Sequence, residues 1–534
     1  MRRGATVRLA ALLALSLAAG CSKCGKKGDE AVPVERLLPK GAVGVVVVPS
    51  VEALGQRLAI LQALKVTGFA AQLQGFTDAK AFSDALVSEL GIDVRSAEAL
   101  EKAGLDGRRA AGAAVLITGH AYLVLPVRDP AKLHAALESL SHRRLGAGAG
   151  GETKVGELTL KTFSPQQGKP PRLGYVLTKG YALVGTDDAV GQLAGLASMP
   201  ESDALSSDAS LKAAQARLPG TGDLFAWLPP GSPVLGKVPV TSALVTAGLS
   251  PAGLSVAVDA PWKGDPAQLS VLETKSGPDL LGLLPRDAFL VLRFQGAPQR
   301  LAPFTEELLG PYLSRAFREA SFDVKAEVLE KLQPGAVAAL SLAERPPLDR
   351  GLPTFDIRQT NPFTYVHLSG AAALTTKDGA WPTLEKVAQV APRFGAQMQK
   401  AERDGAPVLV TTYAQGEGVH FTVKDDRVLF ASPVQRLDAL VKSDGKGGSP
   451  VAGLGGDAVA VAVDLTRLSQ SVRALPESAW GIGGFAIKAT TVRWLDATDD
   501  LKTVTLAVSA KDQAVQARLE LKLGGAAGSA GKAP

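Results

Sequence analysis

The sequence predicts an α+β fold made of two tandem homologous domains, each a largely antiparallel or mixed sheet with covering helices. Three observations predict it. Short apolar runs with strand character are interleaved with helical patterns, but without the regular beat of a βαβ protein. Segments of the first half return, in the same order, in the second half. Hydrophobic residues are 46% and charged residues 21% of 534 residues, which is enough apolar chain for sizeable cores and excludes wholesale disorder.

The repeat sets the domain organisation. Leu37-Leu38-Pro39-Lys40-Gly41-Ala42 returns 246 residues later as Leu283-Leu284-Pro285-Arg286-Asp287-Ala288. Gly174–Thr186 returns as His420–Ser432 at the same spacing, and Leu254–Ala260 pairs with Val504–Ala510 at a spacing of 250. The period is too long for a solenoid unit and long enough for a domain. The expected modules are 37–277 and 278–524, joined through the breaker-rich stretch 276–282. Residues 525–534, mostly Gly and Ala, have nothing to bury and form a loose tail.

Within a copy the elements follow from local chemistry. Val43–Val48 is a continuous apolar run, which suits a strand buried on both faces. Ser50 caps a helix over about 51–65. Ala110 to Val127 is eighteen residues without a formal charge, but Gly119-His120 interrupts it and Pro126 lies near its end. It therefore reads as a hairpin, 113–118 and 121–127, and not as a membrane span. Asp129-Pro130 opens a helix to about His142, with Leu133, Leu137 and Leu140 on one face. Leu158 and Leu160, Leu177, and Leu254, Val256 and Val258 mark half-buried strands. Thr186, after the strand 181–185, is placed to cap a helix over 187–197; Ser432 stands at the repeated joint.

The N-terminus carries the most specific signal. Arg2, Arg3 and Arg8 precede an apolar stretch from Leu9 to Ala19, the length of a signal-peptide core and short for a span. It ends in Leu17-Ala18-Ala19-Gly20-Cys21, small residues before a cysteine. This resembles the lipobox of bacterial lipoproteins, with Ala18 where leucine is usual. The resemblance implies that 1–20 is a cleaved signal peptide and that Cys21 carries a diacylglycerol and an acylated amine. Ser22 follows, where aspartate acts as an inner-membrane retention signal, so the resemblance favours the outer membrane with the body facing the periplasm. Residues 21–36 form the lipidated cysteine and a flexible tether. Cys24, the second of only two cysteines, reads as an idle thiol, and a disulfide scaffold is excluded.

Removing the leader also changes the charge. The chain has 58 basic and 52 acidic residues, a formal +6. Without Arg2, Arg3 and Arg8 the excess falls to +3, with no basic stripe, so nucleic acid is excluded as a partner.

No catalytic, cofactor-binding or metal site is legible. His120, His134, His142, His367 and His420 lack ligand spacing and are not repeated between copies. Gly146-Ala147-Gly148-Ala149-Gly150-Gly151 spells a dinucleotide motif, yet a helix precedes it and a strand follows, so it reads as a flexible loop. Ser443-Asp444-Gly445-Lys446 lies in a Gly/Ser loop, and Gly248-Leu249-Ser250-Pro251-Ala252 lacks the final glycine of a nucleophile elbow. Asp187-Asp188 favours the positive end of the following helix, and Asp499-Asp500 is a turn. Trp227, Trp262, Trp381, Trp480 and Trp494 are scattered and read as packing residues.

The paired Leu-Leu-Pro-(Lys/Arg)-x-Ala openings, at Leu37–Ala42 and Leu283–Ala288, resemble those of an uncharacterised family of exported bacterial proteins. That resemblance implies structural motifs and transfers no active site. The expectation is a membrane-anchored envelope lipoprotein that is not an enzyme and uses no cofactor. Its partners are the membrane, through its acyl chains, and an envelope protein or the cell wall. The alternatives are a periplasmic carrier of a lipid or other apolar ligand and an envelope hydrolase.

Overall fold

The computed structural model describes residues 32–524, apart from 91, 219–221, 306–309, 311–313, 316, 347–360, 415, 447 and 481–483. The leader, Cys21, Cys24 and the tail 525–534 lie outside the described residues. The fold is α+β, and it forms two compact units that meet in sequence at Lys263 and Gly264.

The first unit holds β1 (Gly44–Val48), β2 (Ala111–Val115), β3 (Ala121–Pro126), β4 (Ala149–Val155), β5 (Leu158–Ser164), β6 (Leu173–Thr178), β7 (Tyr181–Thr186), β8 (Leu224–Leu228), β9 (Ala243–Ser250) and β10 (Gly253–Pro261). Their antiparallel pairings give the order β4-β5-β6-β7-β3-β2-β1-β8-β9-β10. β1 is central because its valines meet apolar groups on both sides. Val45 and Val47 join Leu37, Leu38, Tyr122, Trp227 and Leu244 in the main core. Val48 faces Leu54, Leu224 and Ala247 on the other side.

The second unit holds β11 (Leu290–Phe294), β12 (Leu332–Leu342), β13 (Val366–Leu374), β14 (Ala396–Arg403), β15 (Ala406–Tyr413), β16 (Gly416–Glu417), β17 (His420–Lys424), β18 (Arg427–Ser432), β19 (Val459–Asp464), β20 (Leu501–Lys511) and β21 (Ala514–Leu523). Setting aside the two-residue β16, the order is β14-β15-β17-β18-β13-β12-β11-β19-β20-β21, again antiparallel throughout. Strand for strand, this is the order of the first unit. The repeated Leu-Leu-Pro turn has the same task in each, since Leu37, Leu38, Leu283 and Leu284 are all core residues.

Several local expectations hold. Ser50 accepts from Ala53 N–H (3.2 Å) at the start of a helix over Val51–Ala63. Asp129 accepts from Ala131 and Lys132 N–H at the start of Pro130–Leu140. β2 and β3 form the expected hairpin. Others are corrected. Residues 264–277 belong to the second unit, where Lys275 N–H donates to Gln295 O (2.8 Å), so the division precedes the breaker-rich stretch. The expected tether ends early: Val34–Leu37 is a 3-10 turn with Val34 1% exposed. Gly146 ends the preceding turn in a left-handed conformation, but Ala149–Gly151 already belong to β4, so the glycine-rich run is partly strand.

The third repeat match is out by one strand. Leu254–Ala260 lies in β10, the last strand of its unit, whereas Val504–Ala510 lies in β20, the last but one. Both arms of an antiparallel hairpin carry the same alternation, so pattern alone does not tell one arm from the other.

Candidate functional site

The polar groups of the second unit converge at the start of the helix Val434–Lys442, which follows β18. The expected hydroxyl caps are not made. Thr186 makes no side-chain cap, and Pro433, after the cis Ser432–Pro433 bond, is the N-cap of 434–442. Glu417 supplies the acceptor instead: its Oε2 accepts from Val434 N–H (3.2 Å) and from His420 Nε2 (3.2 Å). His420 Nδ1 accepts from Thr411 N–H (3.1 Å), which fixes the tautomer and leaves Nε2 as the donor.

Two residues into this helix stands Arg436. Nη1 and Nη2 grip Asp287 Oδ1 and Oδ2 (2.9 and 2.5 Å). Nη1 also donates to Ser341 Oγ (3.3 Å), and Nε donates to His367 Nδ1 (3.3 Å). Asp287 comes from the Leu-Leu-Pro-Arg-Asp-Ala opening, Ser341 from β12 and His367 from β13, where Ser341 and His367 are directly opposite. Arg436 therefore ties two strands, the turn before β11 and its own helix together through a fork of fixed donors.

Clefts open on both sides of Arg436 and Gln435. One, of about 640 Å³, runs along the Leu283–Arg286 turn to Lys446, with Ser369 and Leu440 in its wall. The other, of about 700 Å³, is lined by Glu344, Arg345, Phe363, Thr364 and His367. Serine, histidine and aspartate all reach Arg436, but not in hydrolase order. A triad needs the histidine Nδ1–H to donate to the carboxylate. Here Nδ1 accepts from a guanidinium, and Ser341 is buried beneath it. The arrangement is suited to holding a cationic wall rigid.

The Arg436 guanidinium beside Asp287 holds its carboxyl below the usual range. Burial holds His367 below 6.5, and the Arg436 charge adds to it. Burial likewise depresses His420, outweighing the pull of Glu417. For a base depressed on folding, the unfolded chain takes up the proton first. The contribution of these histidines is thus complete above about pH 6.5 and is lost as pH falls below it. Asp287, Glu327 and Asp438, whose pKa values are lowered, lose theirs only from about pH 4 downward. Urea midpoints should therefore start to fall between pH 6.5 and about 5, and His367→Gln should flatten that first phase. An unchanged phase in the variant would remove His367 from the account.

The structure also corrects one histidine expectation. Gly185 and Ala431 are a 246-residue pair; Tyr122 is opposite Gly185 and Ser369 is opposite Ala431. Two residues earlier in each case stand His120, just before β3, and His367, in β13, so these two do share a place. His120 Nε2 lies 3.8 Å from Asp188 Oδ2. The spacing here is 247, and no shared neighbours advertise it. Arg436 and Asp287 have no such partners: 246 residues earlier are Val190, which is buried, and Gly41. A search for repeated residues could not find them.

Other sequence candidates disperse. His134 Nδ1 lies 2.9 Å from Tyr175 Oη, beneath Phe163. Ser443 ends a helix instead of starting one. Asp187 pairs with Arg172 (3.4 Å), and Asp499 pairs with Arg473 (3.2 Å). Trp227 and Trp480 are buried, whereas Trp494 is half exposed. Among the described residues no cluster of three His, Cys, Asp or Glu could hold a metal, and no helix is long and apolar enough to cross a membrane.

No protein-family model matches the chain, and no curated protein matches it. Among solved structures it is similar to crystal forms I, III and IV of TP0453, at 12%, 10% and 11% identity. The matches cover 47%, 47% and 43% of this chain and 81%, 91% and 81% of theirs, with TM-scores of 0.24, 0.25 and 0.24.

Proposed function

We propose that this chain is a lipid-anchored protein of the bacterial cell envelope, facing the periplasm, which works by contact with an envelope protein or the cell wall and not by catalysis. The observation that carries the reading is the run Leu17-Ala18-Ala19-Gly20-Cys21 behind an arginine-led apolar core. A single acyl chain holds a protein only marginally, at about 0.8 kcal/mol per buried methylene, so an anchor with several chains makes attachment durable. Two features of the body support a contact role. The polar groups at its clefts bind one another, as in the Asp287–Arg436–His367 set. The outer face of the second sheet carries the register row Leu292, Val461, Leu506, Leu519, of which the three leucines are exposed.

The test is metabolic labelling with radioactive palmitate. The protein should take up label and sediment with membranes, and Cys21→Ala should lose both properties. Unlabelled protein free in the culture fluid would overturn the anchor.

A further inference from the structure

We infer that β4 is a self-association edge, through which two copies of this chain pair as antiparallel strands about a two-fold axis at Thr153. β4 ends the sheet of the first unit, and among the described residues it pairs with β5 alone. From Gly150 to Val155 every residue is exposed. The two strands are joined by the two-residue turn Gly156-Glu157, with Gly156 in the left-handed region (φ 61°). In such a hairpin the closing pair, here Val155 with Leu158, is hydrogen-bonded, and bonded and non-bonded pairs then alternate along the strands. Val155, Thr153 and Gly151 therefore direct their N–H and C=O groups to β5, and Gly151 O also accepts from Thr162 Oγ1 of that strand (3.3 Å). Lys154, Glu152 and Gly150 direct theirs outward, to a side where no described strand lies. An open row of this kind is a template for another strand.

The charges on β4 select a second β4 and fix its register. Outward-directed residues pair with outward-directed residues, so Gly150, Glu152 and Lys154 must face one another across the new seam. A register centred on Glu152 or on Lys154 sets like charges face to face, and one centred on Gly151 faces Glu152 with a glycine. Centred on Thr153, Glu152 of each copy faces Lys154 of the other, and this happens twice. Opposite charges directly across a strand pair stabilise it, and like charges oppose it. In the same register Val155, 45% exposed, faces Gly151, which leaves room for it. Glu152 lies 3.0 Å from Lys161 of β5 and is still 62% exposed, so in the dimer it lies between two cations. Lys154 has no ion pair among the described residues.

The corresponding edge of the second unit is engaged within its own unit. β14 stands at the same end of its sheet, but Lys400 Nζ donates to Glu385 Oε1 (2.9 Å) and lies 5.2 Å from the centre of the Trp381 ring, both on the helix Ala380–Val390. Arg403 forks Asp438 with Nε and Nη2 (3.1 and 2.7 Å). Lys154 of β4 has no such hold. The inference stands on β4 alone and does not depend on the lipid anchor.

The experiment combines sedimentation and cross-linking of the full chain carrying Cys21→Ser and Cys24→Ser, which removes both of its own thiols. This parent should dimerise reversibly. In the inferred register Thr153 faces its own copy in a non-bonded pair, with Cα atoms about 4.5 Å apart, within the span of a disulfide. Thr153→Cys should therefore give a disulfide-linked dimer under mild oxidation. Lys154→Glu and Glu152→Lys each set like charges opposite one another and should each weaken self-association by about tenfold. Mixed in equal amounts, the two variants should associate as well as the parent does, because each glutamate then meets a lysine of the other chain. A parent that stays monomeric at about 100 μM, a Thr153→Cys chain that does not cross-link, or a mixture no better than either variant alone overturns the proposal. The parent and Thr153→Cys keep it falsifiable if a charge variant does not fold.

Discussion

Trp227→Ala is expected to be the most damaging single substitution in the first unit, costing about 3–5 kcal/mol. Trp227 is 0% exposed, and in β8 it lies between Val45 of β1 and Leu244 of β9. It is the largest fully buried side chain among the described residues, and the sheet around it is not free to close over the gap. Its Nε1–H also donates to Asp208 Oδ2 (3.3 Å). Asp208 in turn caps the helix Ala209–Arg217 by accepting from Ser210 and Leu211 N–H. Trp227→Phe separates the two losses, since it keeps most of the apolar volume and removes the donor; it should cost about 1–2 kcal/mol. Urea unfolding followed by circular dichroism measures both. An alanine variant within 1 kcal/mol of the parent would mean that the site collapses.

Arg217→Met is expected to cost nearly as much, about 3–5 kcal/mol, for a different reason. Asp259 of β10 is 0% exposed. Arg217 reaches it with Nε to Oδ1 (3.0 Å) and Nη2 to Oδ2 (2.6 Å). Removing the guanidinium leaves the carboxylate buried without its fork of donors, and methionine supplies only the apolar stem. The double variant Arg217→Met/Asp259→Asn should recover part of the loss, because a neutral amide is cheaper to bury than a charge. If the double variant is as weak as the sum of the two single changes, the pair is not coupled. Both residues were unremarkable in the sequence, separated by forty-one others and placed on different elements.

Much of the fold was legible before any coordinates. The branched run at 43–48, the Ser50 and Asp129 caps and the glycine-broken hairpin at 119 are local signals, and local chemistry decides them. The leucine pair before each proline identified the repeated core. The candidate site was not legible, because its parts come from four separate elements. Asp287, Ser341, His367 and Arg436 span 149 residues and meet only through the register of β12 with β13 and the placement of one helix. Glu417 capping Val434 is a second case. The sequence offered Ser432 next door, and the chain uses a carboxylate from across a hairpin because Pro433, whose side chain has no acceptor, stands at the N-cap.

Residue order alone determined the class of fold and the two-fold recurrence of its leucine-rich openings, and it carries the proposal of lipid attachment at Cys21, since each depends on neighbours within a few positions. Only the folded sheet decided that Tyr122 and Ser369 share one place and that the histidines at 120 and 367 do too. The reason is that equivalence between strands is set by hydrogen-bonded register, and a one-residue change in a connecting loop erases it from the sequence while leaving it intact in space.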